Sequence, residues 1–222
     1  MERSLLKHRQ CEERFAFDKV KRAQHGVICG IDEAGRGPWA GRVYAAAVIL
    51  DDDIFIEGLN DSKKLSEAQR EHFYTEITDQ ALAYSIAWAE TEEIERLNIL
   101  QATFLAMQRA YNGLGIAADL ALVDGNRLPP LPVRTETVVK GDSLSAGISA
   151  AGILAKVSRD RYMAELDKKY PQYGFLSHKG YGTAGHIAAL KKYGITPEHR
   201  RSFLKKQEAK SGKFPEYKEE TP

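Results

Sequence analysis

The sequence predicts an α/β fold in which helices pack against a mixed sheet of five strands. Two early apolar runs, VICGID (27–32) and VYAAAVIL (43–50), are separated by a turn containing glycine and proline and predict two neighbouring, hairpin-like strands. Later strands are interleaved with helix signals, which favours helices packed on the sheet. The early pair argues against a purely parallel sheet.

Three further runs complete the predicted sheet. LAYSIAWA (82–89) alternates between apolar and polar residues, and DLALVDG (119–125) and RTETVV (134–139) are short runs joined by a proline-rich loop. Each is the length of an ordinary strand, so with the first two they supply five strands.

Helix-start signals lie between these strands. Ser66 and Gln69 have the spacing of a capping box and predict a helix towards Asp79. Acidic residues in a first turn suit the positive end of a helix, so the sequence TEE from Thr91 predicts a helix that reaches about Tyr111.

A long helix is predicted from Ser143, where apolar residues recur at helical spacing. Gly147 and Gly152 weaken this prediction, because each costs roughly 1 kcal/mol relative to alanine in a helix. Thr183 and Thr196 predict the starts of two shorter helices.

The chain divides into three predicted parts. Residues 1–25 form a polar helical arm, residues 26–204 form one domain that includes a C-terminal helical region, and residues 205–222 form a disordered tail with little to bury. The expected apolar anchors of the arm are Leu5, Leu6, Phe15 and Phe17.

Composition excludes several classes of protein. The chain has 222 residues, of which 43% are hydrophobic and 28% charged. Its apolar runs are far shorter than the roughly 20 residues that span a bilayer, and its N-terminus lacks the apolar core of a secretory signal. Two cysteines, Cys11 and Cys29, fit a reducing compartment and cannot build a cysteine-rich zinc site. We expect a cytoplasmic monomer with no membrane association.

The net charge of +1 conceals an asymmetry. Between Lys156 and Lys213 there are 14 Lys or Arg and 5 Asp or Glu, a charge of +9 that leaves −8 for the remainder. A one-sided basic region suggests a polyanionic partner, because its cations replace the counterions of phosphates. A solvated helical face explains the charge equally well.

Four carboxylates follow predicted strands: Asp32 and Glu33 after the first, Asp124 at the end of the fourth and Asp142 after the fifth. Strand ends next to turns present side chains to solvent, so the four can converge at one rim of the sheet. Asp32 and Glu33 can share a site only if regular pleating stops there, because successive residues of a strand point to opposite faces. Singly, each acid is as well explained as a helix cap or turn former.

Grouped carboxylates repel one another unless a cation lies among them. Oxygen ligands without a Cys or His cluster suit Mg²⁺ or Mn²⁺ better than zinc. Two such ions, roughly 3.5 to 4 Å apart, activate water and stabilise the leaving oxygen in phosphodiester cleavage. Asp142, just ahead of the helix start at Ser143, is expected to stay ionised in the field of that helix.

Other motifs carry weaker signals. GRGPWAG has the wrong spacing for a dinucleotide-binding loop and precedes a strand, so we reject that interpretation. Its glycines either let backbone approach a sugar or phosphate, or form a plain tight turn. Lys63 and Lys64 either hold a phosphate or are idle surface lysines. Tyr181, in a glycine-rich loop, either stacks on a sugar or base or belongs to the core. His178 fits a polar loop residue better than a metal ligand.

Six segments occur in a fixed order along the chain: GIDEAGRGPWAG, NDSKKLS, NILQATFLAMQRA, LVDGNRLP, VVKGDSLSAGISAAGILAKVSRD and HKGYGT. Over roughly residues 26–204 they closely resemble bacterial ribonuclease HII, the type 2 ribonuclease H. The resemblance implies the ribonuclease H-like fold, a five-stranded mixed sheet flanked by helices, with a C-terminal helical region that helps to bind nucleic acid.

The resemblance also implies an activity. Enzymes of this family cut the RNA strand of RNA/DNA hybrids and the 5′ side of single ribonucleotides in duplex DNA, and they leave 3′-hydroxyl and 5′-phosphate ends. Two Mg²⁺ or Mn²⁺ ions are implied at the active site. The implied partners are RNA/DNA hybrid and ribonucleotide-containing duplex DNA, in ribonucleotide removal, replication and repair.

Site residues carry over by position. The four metal-binding acids of the family fall on the residues selected above: Asp32, Glu33, Asp124 and Asp142. Its GRG element, which contacts the ribonucleotide 2′-hydroxyl, its junction-sensing tyrosine and a phosphate-contacting lysine fall on these residues: Gly35, Arg36, Gly37, Tyr181 and Lys63.

Three alternative assignments of family or function remain open. Ribonuclease HIII typically has another residue where this chain has Arg36 and carries an extra N-terminal domain. A non-catalytic hybrid-binding module explains the basic region but not four acids facing a polyanion. A nuclease that acts on plain DNA is distinguished by an all-deoxy substrate. Within the family, Gly147 and Gly152 stand where serine or alanine is common.

Overall fold

The computed structural model describes residues 2–218, with the side chains of residues 5–210 and 212–218. The strands are β1 (Ile28–Ala34), β2 (Val43–Ile49), β3 (Ala83–Ala89), β4 (Leu120–Asp124) and β5 (Arg134–Val138). The helices are α1 (Glu2–His25), α2 (Glu67–Gln80), α3 (Thr91–Leu97), α4 (Ile99–Asn112), α5 (Ala146–Lys169), α6 (Phe175–His178), α7 (Ala184–Tyr193) and α8 (Arg201–Ser211). None of these helices is long and apolar enough to cross a membrane.

The strands form one mixed sheet in the order β3-β2-β1-β4-β5. β2 pairs antiparallel with both β1 and β3, whereas β4 pairs parallel with both β1 and β5. This confirms the predicted mixed sheet of five strands. Because β1 and β4 run in the same direction, the ends of both strands lie at the same rim.

Helix α5 packs on one face of the sheet and α4 on the other. The contact with α5 is close because small residues meet there: a Cβ added to Gly30 of β1 would lie 2.1 Å from the backbone carbon of Gly147. Gly147 and Gly152 do not interrupt α5, which runs unbroken through both. Burial against the sheet therefore outweighs the low helix propensity of glycine.

The helix predicted from Thr91 to about Tyr111 is two helices. Asn98 has a φ of 70°, in the left-handed region, and separates α3 from α4. Its side chain accepts hydrogen bonds from the amides of Leu100 and Gln101 (3.0 and 3.2 Å) and so caps α4. A helix-capping residue inside the predicted span was the signal for this break.

The arm is helical, but its buried face differs from the predicted one. Leu5 and Leu6 are exposed, whereas Cys11, Arg14 and Asp18 are buried. These three side chains bond to other parts of the chain: the Cys11 thiol donates to the carbonyl of Ile56, Arg14 donates to that of Leu59, and Asp18 accepts from the amide of Gly147. The arm is thus held by polar contacts as well as by Phe15 and Phe17, two of the predicted anchors, which pack against core clusters.

The predicted disorder from Lys205 is wrong for the described part of that segment. Helix α8 continues to Ser211, and Phe214 is buried in a separate apolar cluster of the C-terminal region. Beyond it, the amide of Ile195 donates to the carbonyl of Pro215 (2.8 Å). Residues 219–222 of the predicted tail lie outside the described residues.

The other two helix starts have different outcomes. The Thr183 hydroxyl accepts from the amide of His186 at the start of α7, as predicted. Within residues 2–218 no helix begins at Thr196, which starts only a single turn: its carbonyl accepts from the amide of His199 (3.1 Å), and α8 begins at Arg201.

Candidate active site

Asp32 and Glu33 lie near the end of β1, where regular pleating continues. Asp32 pairs with Ala46 and Glu33 with Ala45 of β2, so the pleat does not stop as expected from the sequence; Asp124 instead links the two acids, because its charge raises the pKa of both. Their side chains consequently leave opposite faces of the strand. Asp32 faces α5, and Glu33 lines a small cavity beside α4 that Asp124 also reaches.

Asp32 is buried against α5. A Cβ added to Gly152 would lie 2.4 Å from Oδ2 of Asp32, so a larger residue there would force the carboxylate to turn. Oδ1 accepts from the amide of Glu33 (2.7 Å). Burial raises the pKa of Asp32 well above its ordinary value, and the negative charges of Glu33 and Asp124 raise it further.

Asp124 lies beside Asp32 at the same rim. In the parallel pair, Ile31 of β1 is level with Val123 of β4, which puts the next residues, Asp32 and Asp124, on neighbouring strands. Oδ1 of Asp124 accepts from the amide of Gly141 (2.7 Å). This bond ties the end of β4 to the turn that carries Asp142.

Asp142 lies in a one-turn 3₁₀ segment, Gly141–Ser143, and not at the start of α5. Its carbonyl accepts from the hydroxyl of Ser149 (2.6 Å), and its Oδ2 lies 3.4 Å from Nζ of Lys63. Burial raises the pKa of Asp142 and the negative charges of Asp61 and Asp124 raise it further, a direction opposite to the effect of a helix dipole. The helix begins four residues later, where its field is weak at Asp142.

Burial also raises the pKa of Glu33. The negative charge of Asp124 raises this pKa further, and the positive charge of Arg36 lowers it. Lys63 and Arg36 are thus the nearest compensating cations, at 3.4 Å from Asp142 and from Glu33 respectively. Within residues 2–218, no three His, Cys, Asp or Glu side chains form a ready-made metal cluster. The site nevertheless suits a divalent cation, because its donors are carboxylate oxygens whose mutual repulsion a cation would relieve.

The predicted substrate residues lie at this same rim. Arg36 is exposed and pairs with Glu33, while Lys63 pairs with Asp142. A Cβ added to Gly37 would lie 3.4 Å from the ring of Tyr181, so those two residues are neighbours. Tyr181 is 50% exposed, which removes the interpretation of a core tyrosine.

The loop before Tyr181 is supported by buried histidines. Nδ1 of His186 lies 3.0 Å from the carbonyl of Tyr181, and Nε2 of His186 lies 3.0 Å from Nε2 of His199. Both ring nitrogens of His178 bond within the loop, to the carbonyl of Tyr173 and the amide of Gly180. His178 is the last residue of α6 and not the loop residue that its sequence context predicts.

Sequence reasoning missed four residues that shape the rim. Asp61, in the NDSKKLS segment, accepts from the amide of Lys63 (2.9 Å), and its carboxylate raises the pKa of Asp142. Gly152 seats Asp32, and two buried arginines, Arg159 and Arg200, bond to the chain that follows β1. Only Asp61 had a usable signal, as an acid in a segment already singled out.

Comparison with known proteins shows the family and the fold. The ribonuclease HII family model matches residues 29–206. Ribonuclease HII of Albidiferax ferrireducens is 62% identical over 178 residues, 80% of this chain and 86% of that protein. Ribonuclease H2 from Pyrococcus horikoshii has a TM-score of 0.68 at 28% identity, covering 83% of this chain and 98% of that one. Bst-RNase HIII in complex with Mn²⁺ has a TM-score of 0.63 at 14% identity, covering 83% and 69%, and shows the fold alone.

The architecture is therefore the ribonuclease H-like fold, the class of protein that its strand order and helices define. Within that class, the chain belongs to the ribonuclease HII family. It is a type 2 ribonuclease H, an endonuclease. This decides against ribonuclease HIII and against a non-catalytic binding module.

Proposed function

We propose that the enzyme cuts the RNA strand of RNA/DNA hybrids and also cuts 5′ of single ribonucleotides in duplex DNA, leaving 3′-hydroxyl and 5′-phosphate ends. The observation that carries this proposal is the rim itself: the charges of Asp124 and Asp142 act on Asp32, and Arg36, which pairs with Glu33, precedes Gly37 beside Tyr181. Carboxylates and a ribose-reading surface are the two parts that such a reaction needs.

Two divalent cations, Mg²⁺ or Mn²⁺, would be held by Asp32, Glu33, Asp124 and Asp142. Bound there, they would supply an activated water and stabilisation of the leaving oxygen. The raised pKa values of Asp32, Glu33 and Asp142 support this assignment, since burial and neighbouring carboxylates penalise their charged forms and a bound cation would relieve that penalty. A solved protein of the same fold, Bst-RNase HIII, is in complex with Mn²⁺.

The protein's own residues have separate roles. Asp32 and Asp124 would bind or bridge the cations, with Glu33 and Asp142 completing the set and orienting water. Lys63 lies beside Asp142 and is exposed, so it can meet a phosphate of the bound strand.

Selection of RNA requires a contact to the 2′-hydroxyl, the group that distinguishes RNA locally from DNA. We assign this contact to Gly35, Arg36 and Gly37, with Tyr181 against the sugar of the adjoining nucleotide. Glycine lets the backbone approach a ligand closely, and Gly35 has a φ of 100° that other residues rarely adopt. As part of the same proposal, the protein is a cytoplasmic monomer that acts in ribonucleotide removal during replication and repair.

The test is a labelled duplex that carries one ribonucleotide. With Mg²⁺ or Mn²⁺ the enzyme should cut 5′ of that nucleotide, and a chelator should stop the reaction. The control is the same duplex in all-deoxy form, which should stay intact. Cleavage of the all-deoxy duplex would favour a nuclease for plain DNA, and absence of cleavage at the ribonucleotide would remove the proposed specificity.

A further inference from the structure

Two guanidinium groups are buried beneath the rim, and neither has a carboxylate partner among the described residues. Arg159 is 1% exposed and Arg200 is fully buried. Neither forms an ion pair with any described carboxylate within 4.0 Å. Burial lowers the pKa of Arg200 to about 9, and the positive charge of Arg159 contributes to this decrease. Two unpaired buried cations are costly, so their bonding calls for an explanation.

Both side chains bond to the main chain of one loop, residues 35–42, here named the recognition loop. Arg200 uses all five of its N–H groups on carbonyls of this loop, those of Gly35 (2.7 Å), Arg36 (3.1 Å), Pro38 (2.9 Å), Gly41 (2.8 Å) and Arg42 (3.0 Å). Arg159 donates to the carbonyls of Ala40 and Arg42 (both 3.2 Å). The pair therefore holds most carbonyls of the loop.

These bonds orient the opposite side of each peptide. In a trans peptide the C=O and N–H groups point in opposite directions. Since the carbonyls of Gly35 and Arg36 point to Arg200, the amides of Arg36 and Gly37 point away from it. Neither amide donates to an acceptor within residues 2–218. Arg200 thus determines which way two free donors face.

Arg159 connects the recognition loop to the loop of Tyr181. Its guanidinium also donates to the carbonyl of Lys179 (3.1 Å), two residues before Tyr181. The amide of Trp39 donates to the carbonyl of Gly180 (2.8 Å), which joins the same two loops directly. A Cβ added to Gly35 would lie 2.1 Å from Nε of Arg159, so this glycine and the guanidinium fit closely.

We propose that Arg200 and Arg159 are positioning residues for ribose recognition: they hold the recognition loop and Tyr181 in the arrangement that distinguishes a ribonucleotide from a deoxyribonucleotide. Neither side chain meets the substrate. The inference rests on the proposed function, because it takes the recognition loop and Tyr181 as the ribose-reading surface.

Lysine substitutions test the pair. Arg200→Lys and Arg159→Lys keep the charge but replace a planar fork with a point donor that cannot hold several carbonyls. Arg201→Lys is the matched control, because Arg201 is adjacent in sequence, exposed, and bonded to Glu216. Circular dichroism and thermal melting establish that each variant is folded at the assay temperature.

The measurement compares two duplexes of one sequence. KM and kcat are determined on the duplex with one ribonucleotide, and the all-deoxy duplex is added as a competitor to obtain its Ki. In both lysine variants of the pair, KM should rise at least about tenfold towards Ki, while Ki changes by about twofold or less. Arg201→Lys should leave both constants unchanged. A general loss of structure would instead move KM and Ki together.

Other outcomes overturn the inference. If folded Arg200→Lys and Arg159→Lys enzymes keep the wild-type ratio of Ki to KM, the pair does not position the recognition loop and Tyr181. Unfolding of both variants assigns the pair to overall stability and equally removes the proposal. If the wild-type enzyme fails to cut the ribonucleotide duplex, the proposed function fails, which is a separate result.

Discussion

Two clusters of like charge meet the same segment, residues 32–42, and they are built in opposite ways. The acid cluster of Asp32, Asp124 and Asp142 leaves negative charge in excess, and burial together with this repulsion raises the pKa of Asp32 and of Asp142. Arg159 and Arg200 are more deeply buried, yet every guanidinium N–H group of Arg200 donates to a main-chain carbonyl.

The difference separates binding from positioning. A charged group whose hydrogen bonds are all used within the protein has none left for a ligand, so it can only hold other groups in place. Carboxylates that repel one another gain free energy when a cation arrives. The acid cluster is thus suited to bind a cation, and the arginine pair is suited to position the loop beside it.

The largest expected effect breaks the acid cluster. Asp124→Asn keeps the size and the hydrogen bond from Gly141 but removes a charge, so cleavage of the ribonucleotide duplex should fall by about 10³-fold or more. Binding of the hybrid, measured by fluorescence anisotropy, should stay within a fewfold of wild type. Full activity of this variant would remove Asp124 from the site.

The next largest effect is a loss of stability when the close contact between β1 and α5 is broken. Gly30→Ala would put a Cβ 2.1 Å from backbone of Gly147, and backbone cannot swing aside as a side chain can. We expect unfolding in urea to show a loss of about 3 kcal/mol. Gly185→Ala is the control, since its Cβ would meet nothing nearer than 3.9 Å. Equal stability of the two variants would contradict close packing of α5 on β1.

Asp18 is a buried carboxyl group that belongs to neither cluster. Asp18 accepts from the amide of Gly147, and burial raises its pKa to about 6. The folded state therefore holds the proton more tightly than the unfolded state, so Asp18 destabilises the fold as pH rises from about 4 to about 6. The decrease should be on the order of 2 kcal/mol.

Asp18→Asn cannot ionise, and the part of the decrease due to Asp18 should vanish. The measurement is the free energy of unfolding in urea at several pH values between 4 and 7, for wild type and variant. Parallel curves for the two proteins would show that Asp18 does not titrate in this range.

The smallest expected effect removes a compensating cation. Lys63 is exposed and lies 3.4 Å from Asp142, so Lys63→Ala should raise KM for the hybrid about two- to fivefold at low salt and less at high salt. Lys168→Ala, which removes an exposed lysine paired with Glu165, serves as the control. Identical salt dependence of both variants would leave Lys63 without a phosphate contact.

Much of the fold was predictable because periodicity and turn residues are local signals. All five strands lie within two residues of their predicted bounds. The failures have local causes too: Asn98 ends a helix in a left-handed conformation, and the segment after Lys205 is held by Phe214 and a bridge to Ile195. A contact with a distant residue leaves no trace in the composition of a short segment.

The arrangement of the candidate site was predictable to a similar degree. Acids after apolar strands pointed to one rim, and the motifs that resemble the family pointed to Gly37 and Tyr181, which are neighbours. The basic C-terminal region misled in part, because Arg159 and Arg200 count towards its charge but are buried. Charge counted along a chain does not report whether a side chain reaches solvent.

The sequence by itself determined the strands, most helix starts and the candidate acids, since each depends on residue type and spacing within a few positions. Only the tertiary structure decided that Asp32 lies against Gly152, that Glu33 faces the other side of the sheet, and that Arg200 holds the recognition loop. Those facts join residues far apart in the chain, and burial and repulsion between them exist only once the sheet and α5 have come together.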